Sequence, residues 1–183
     1  MATSMTGSFY LTETVTLPAA TVGGTRVQGE IDIGAYVNVP TGQCVAVEFV
    51  DFVFQASSIF SNSPDQMLNA NGSISVQLSD LNPGTAMIRA DDQSLIASGG
   101  LIADIGNNIA SHETDLYPDN FGPASNSESF MVVNDTMYLV AGPNSADIAG
   151  SAVHVTARIR CRVVKLSQQD WMAIAIQSTA SDN

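Results

Sequence analysis

The chain has 183 residues, of which 45% are hydrophobic and 13% charged, with 18 acidic against 6 basic side chains and a net charge of −12. That length suits one domain with a substantial core, and no apolar run reaches the roughly 18 residues of a membrane-spanning helix. Lys165 is the only lysine, and so acidic a chain is poorly matched to nucleic acid or anionic membranes, which bind through cations.

The opening MATSMTGSFY has neither the basic nor the apolar region of a secretion signal, so a soluble chain is expected. From there the sequence reads as strands over 9–17, 26–33, 44–55, 73–78, 95–103, 128–133, 137–141 and 152–166. Turn signals separate them: Gly23-Gly24, Pro40-Thr41-Gly42, Asn71-Gly72, Asn82-Pro83-Gly84, Asn134-Asp135 and Gly142-Pro143-Asn144. Asn71-Gly72 suits a tight hairpin, and Asn82-Pro83-Gly84 a type I or II turn. Two longer stretches, 57–71 and 106–127, are expected to be loops with a role of their own. The second holds His112, Glu113, Asp115, Tyr117, Asp119 and Phe121.

The last strand carries the strongest pattern. In SAVHVTARIRCRVVKL, Val153, Val155, Ala157, Ile159, Cys161 and Val163 share one parity, and His154, Thr156, Arg158, Arg160 and Arg162 share the other. Such alternation marks a strand with one buried and one polar face. The polar face holds three of the chain's six basic residues. Beyond it, LSQQDWMAIAIQS opens on Ser167 as an N-cap with Asp170 in the first turn, predicting a helix over about 168–176. Its lone tryptophan, Trp171, either closes the end of its own sandwich or anchors an interface. About eight strands and a short C-terminal helix give an all-β, single jelly-roll sandwich.

Chemistry is sparse. Two histidines and no Gly-x-Ser-x-Gly elbow select no nucleophilic triad, and a metal-dependent enzyme on such a scaffold needs more histidines than His112 and His154. No catalytic residue and no cofactor is assigned. Asp91-Asp92 and the group Glu113, Asp115 and Asp119 are oxygen-rich; they read as solvated loop acids, with a weak calcium site between subunits as the alternative. Cys44 and Cys161 read as buried thiols, a disulfide being open only if their strands are neighbours. Glu48 and Asp51, on opposite parity in CVAVEFVDFVFQ, need water or a partner. Cross-strand pairing with Arg158, Arg160 and Arg162 is expected, and an anion or ligand site is the alternative.

GEIDIGAYVNVPTGQCVAVEFVDFVFQ, the late strand with alternating basic residues and the following LSQQDWMAIAIQS resemble small single jelly-roll major capsid proteins. These belong to tailless icosahedral viruses of archaea and bacteria, the sphaerolipovirus-like group and marine environmental relatives included. The resemblance covers 29–55 and 153–177. It implies a non-enzymatic virion protein, one domain over 1–183, assembled in the host cytoplasm into pseudo-hexameric capsomers with itself and with other capsid proteins. It also implies an internal viral membrane between shell and genome, which an N-terminal stretch free of Lys and Arg fits; the brief N-terminus departs from the family, offering little arm for reaching another capsomer. On this reading the subunit-interface candidates are Arg158, Arg160, Arg162, Trp171, Tyr117 and Phe121. The competing class is a β-sandwich carbohydrate-binding or adhesin-type module with its loops as ligand surface.

Overall fold

A computed structural model describes residues 2–113 and 129–179. Its elements in chain order are β1 (Thr3–Ser4), β2 (Phe9–Leu17), β3 (Val27–Asp32), β4 (Gln43–Ala56), α1 (Pro64–Met67), β5 (Gly72–Ser79), β6 (Leu95–Asp104), β7 (Ile109–Glu113), β8 (Phe130–Val132), β9 (Thr136–Pro143), β10 (Val153–Lys165) and α2 (Gln168–Thr179). One sheet runs β10–β4–β8, with β1 and β2 sharing the other edge of β10; the second runs β3–β9–β5–β6–β7. Each pairing is antiparallel.

The chain alternates between the two layers: β2 lies in the first sheet, β3 in the second, β4 in the first, β5 to β7 in the second, then β8, β9 and β10 in turn. This winding is a jelly roll. The eight expected strands are all present, joined by β1 and β7. The strand β7 lies in the stretch read as a loop over 106–127, so that reading is corrected: 109–113 adds an edge strand to the second sheet. Asn71-Gly72 does not make a hairpin either. Gly72 starts β5, and the Asn71 side chain instead accepts the backbone N–H groups of Ile105 (2.8 Å) and Gly106 (3.4 Å). At Asn82-Pro83-Gly84 the turn forms, with Asn82 Oδ1 accepting the Gly84 N–H at 2.8 Å and Gly84 in the left-handed region.

The core between the sheets is built from the inward parity. Val153, Val155, Ala157, Ile159 and Cys161 of β10 are fully buried, facing a layer that includes Leu78, Met137 and Leu139. The long strand β4 reaches both sides of its sheet through a β-bulge. Val50, Phe52, Phe54 and Ala56 point into the core; past the bulge Val45 and Val47 do so, and Cys44 and Ala46 turn to the outer face. A bulge adds one residue to one strand and so resets its parity.

That outer end is covered by α2. Ser167 Oγ accepts the Asp170 N–H at 3.2 Å, which starts the helix as the sequence implied. Trp171, Ile174 and Ala175 then pack on Cys44, Ala46, Val133, Val164 and Leu166 as a second, smaller apolar cluster. The two thiols are free and sit in different clusters, Cys44 beneath the helix and Cys161 in the main core. Their strands are neighbours, but the opposite faces rule out a disulfide between them. Burial pushes both thiols up to about 12, and the Glu48 charge adds to the effect at Cys161.

Part of the outer face of the second sheet, around Gln77, is also covered, by the 80–94 connection. Gln77, 8% exposed on β5, donates from Nε2 to the Ile88 carbonyl (2.9 Å) and accepts the Ile88 N–H at Oε1 (2.8 Å). One side chain thus satisfies both backbone groups of a loop residue, as a neighbouring strand would. Removing it leaves buried polar groups unmatched, at about 1–3 kcal/mol. Gln77→Ala is expected to loosen this loop while the sandwich stays folded. Limited trypsin digestion checks it, since Arg89 is the loop's exposed cleavage site: cleavage after Arg89 should speed up, and an unchanged rate would show that the clamp is dispensable.

Candidate assembly surface

The outer face of the first sheet is made by three strands in register. The edge strand β2 contributes Tyr10, Thr12, Thr14 and Thr16, and β10 contributes His154, Thr156, Arg158 and Arg160 opposite them. On the far side of β10, β4 sets Gln55, Val53, Asp51 and Phe49 against the same four residues. At the upper end the contacts are polar: Thr14 and Thr156 hydroxyls lie 2.8 Å apart, and Thr16 Oγ1 lies 3.0 Å from His154 Nδ1. His154 also sits 5.8 Å from the exposed Phe60 ring, as a surface histidine.

The arginines follow different fates. Glu48, only 4% exposed, is the extra residue of the bulge, lying between Phe49 opposite Arg160 and Val47 opposite Cys161. The bulge swings it onto the arginine face. Arg162 grips its Oε1 through Nε and Nη2, and Ser8 donates to Oε2 at 2.9 Å. Arg160 Nε lies 3.3 Å from Oε2, in ionic contact without an aligned hydrogen bond. The expected in-sheet pairing is therefore made, with Glu48 as the shared acid. Asp51 faces Arg158 in register, but among the described residues no ion pair joins them.

Arg158 is left exposed, its guanidinium 5.8 Å from the centre of the Tyr10 ring, and Arg160 lies 5.8 Å from the Phe49 ring. Cations over aromatic faces gain from the ring quadrupole and are held in place by it. Tyr10 and Phe49 are about half exposed, at 58% and 49%. Sequence reading did not select either. Tyr10 was legible from the alternation of β2, whereas Phe49, on the outward parity of β4 with Asp51, was masked by apolar residues on both parities of that strand.

The other basic side chains are largely committed. Arg26 donates to the Pro143 carbonyl and to Asn144 Oδ1, both at 2.5 Å, and Arg89 pairs with Asp91 at 2.9 Å. Asp92 accepts from the N–H and hydroxyl of Ser94. Among the described residues no group of three or more His, Cys, Asp or Glu is placed to hold a metal. Tyr117, Phe121, Asp115, Asp119 and the side chain of Glu113 lie outside the described residues. Trp171 packs against its own sheet as part of the second cluster.

A concavity with a volume of about 660 Å³ opens along β4 where that strand has run past β8. Phe54, Phe60, Met67, Leu101 and Ala110 wall it, with Asp51, Asn62 and His112 as polar groups. The His112 ring meets Phe54 edge-on at 5.2 Å.

No protein-family model matches the chain, and no curated protein matches it in sequence. Among solved structures it is similar to Desmodium yellow mottle tymovirus, at 8% identity and a TM-score of 0.31 over 88% of this chain and 91% of that one. Human polyomavirus 12 VP1, solved in complex with 3'-sialyllactosamine, matches at 9% identity and a TM-score of 0.39, over 87% of this chain and 100% of that one. Cocksfoot mottle virus matches at 11% identity and a TM-score of 0.34, over 90% and 99%. None of these three is from a virus of archaea or bacteria.

Proposed function

We propose that the protein is a major capsid protein, a single jelly-roll domain that self-assembles into the icosahedral shell of a tailless virus of the archaeal and bacterial group. Its partners are copies of itself and other capsid proteins, its place is the virion after assembly in the host cytoplasm, and a membrane beneath the shell keeps it from the genome. It performs no catalysis.

The observation that carries this reading is apolar surface left open at both ends of a closed sandwich. At one end Val22, Ile59 and Phe60 are 59–74% exposed; at the other Val39, Met172 and Ile176 are 55–64% exposed. Their side chains lie outside both core clusters. Apolar surface at opposite poles suits a subunit surrounded by neighbours better than one with a single ligand site. A surface poor in charge also lets an interface of about 1,200–2,000 Å² form without burying many unpaired ions.

At −12 per subunit, association concentrates negative charge. Assembly is therefore expected to strengthen as salt rises, or as pH falls toward the pI of about 4.1. Light scattering with negative-stain microscopy across a salt and pH series tests this. Particles or capsomer-sized oligomers are the expected result. Monomer at every concentration, salt and pH, with specific glycan binding in the cleft along β4, would instead establish the carbohydrate-binding module.

A further inference from the structure

The two outer faces of the sandwich differ in sign. The first sheet's face holds Arg158, Arg160 and Arg162 against Glu48 and Asp51, a local excess of positive charge on a chain of net charge −12. On the other layer, β3 places Glu30 and Asp32 exposed on its outward parity, with Ile31 between them buried in the core. Asp32 lies opposite Thr136, so Asp135, also exposed, adjoins it at the start of β9. Asp32 accepts only a local N–H from Gly34, and Asp135 the Thr136 hydroxyl. Among the described residues no cation pairs with Glu30, Asp32 or Asp135.

We infer that the arginine face of one subunit, centred on Arg158 beside Tyr10, seats against the Glu30–Asp32–Asp135 margin of a second copy. This deepens the capsid reading and rests on it. The contact is heterologous. Pairing the arginine face with itself would set like charges together, and so would pairing the acidic margin with itself. Two different patches that meet head to tail pass the contact on from copy to copy, closing into a ring where the rotation allows. Tyr and Arg are, with Trp, the side chains that most often anchor interfaces, and here the Tyr10 ring already holds the guanidinium that would reach across. Of the three arginines on this face, Arg160 and Arg162 are held by Glu48; Arg158 has no ion-pair partner among the described residues and can pair between subunits. The contact is compatible with salt-promoted assembly: ion pairs buried in an interface are screened far less than the long-range repulsion between whole subunits.

The test uses two single variants of the full chain, Arg158→Glu and Asp32→Arg, each shown by circular dichroism and thermal unfolding to fold like the wild type. Each alone is expected to lower self-association at least about ten-fold, because it places like charges in the contact. Mixed in equal amounts they should assemble again, since every junction between unlike copies then joins opposite charges. Wild-type assembly with unimpaired Arg158→Glu assembly would overturn this interface and leave the capsid reading standing. Impaired single variants that the mixture does not rescue would overturn it as well. A wild type that stays monomeric throughout would overturn the capsid reading itself, and this contact with it.

Discussion

Glu48→Ala is expected to destabilise the fold by about 3–5 kcal/mol, the usual cost of stripping one partner from a buried ionic cluster. Glu48 is almost fully buried and shared by Arg160, Arg162 and Ser8. Without it two guanidiniums face each other across a half-dry bulge. The loss comes from the charges left behind and not from the worth of the pair, so a wholly apolar replacement should behave differently. The triple change Glu48→Leu, Arg160→Met, Arg162→Met removes every charge at once and should recover most of the lost stability. Denaturant midpoints of the monomer separate the cases. A Glu48→Ala protein within about 1 kcal/mol of wild type would mean that water already solvates this cluster.

The same residue shows where sequence reading stops. Alternation on β10 sorted core from face, because a regular strand has a strict period of two: Val153, Val155, Ala157, Ile159 and Cys161 are buried, and Arg158 between them is exposed. It also implied that the arginines meet acids across the sheet. Which acid they meet depended on a bulge, and a bulge leaves no mark in CVAVEFVDFVF, where apolar residues occupy both parities. By strict alternation Asp51 shares the outward parity with the residues facing Arg158 and Arg160, and Glu48 does not. One inserted position reversed that and gave the cluster to Glu48.

The other differences have similarly local causes. In β7, Ile109-Ala-Ser-His-Glu is short and weakly alternating, and it becomes a strand through pairing with β6. Asn71-Gly72 has hairpin chemistry, yet β5 begins at Gly72 with β6 and β9 as its partners, so the Asn71 side chain serves a different turn. In α2 the helix was legible from its cap and spacing. That Trp171 lies on the outer face of a sheet depended again on the parity change, which puts Cys44 and Ala46 beneath it.

That packing makes Gly42 the most exacting glycine near the helix. It immediately precedes β4 at φ +70, and a Cβ there would lie 2.4 Å from the Leu166 carbonyl oxygen, just before α2. Its own carbonyl accepts the Leu166 N–H at 2.8 Å, so backbone hems in both sides and no side chain can swing away. Gly42→Ala therefore combines the left-handed penalty of about 1–2 kcal/mol with an overpacking cost of about 1–3 kcal/mol. Gly84→Ala is the matched control: its φ is +64, but a Cβ meets nothing within 4 Å, so only the first cost applies. The difference in unfolding free energy between the two variants measures the clash alone. Because Trp171 is the only tryptophan and packs on Leu166, its emission reports the local consequence. A red shift in folded Gly42→Ala but not in Gly84→Ala is expected, as the chain end moves and the indole becomes wetter. Equal stability losses with no change in emission would mean that the 42–166 junction yields without disturbing the helix it launches.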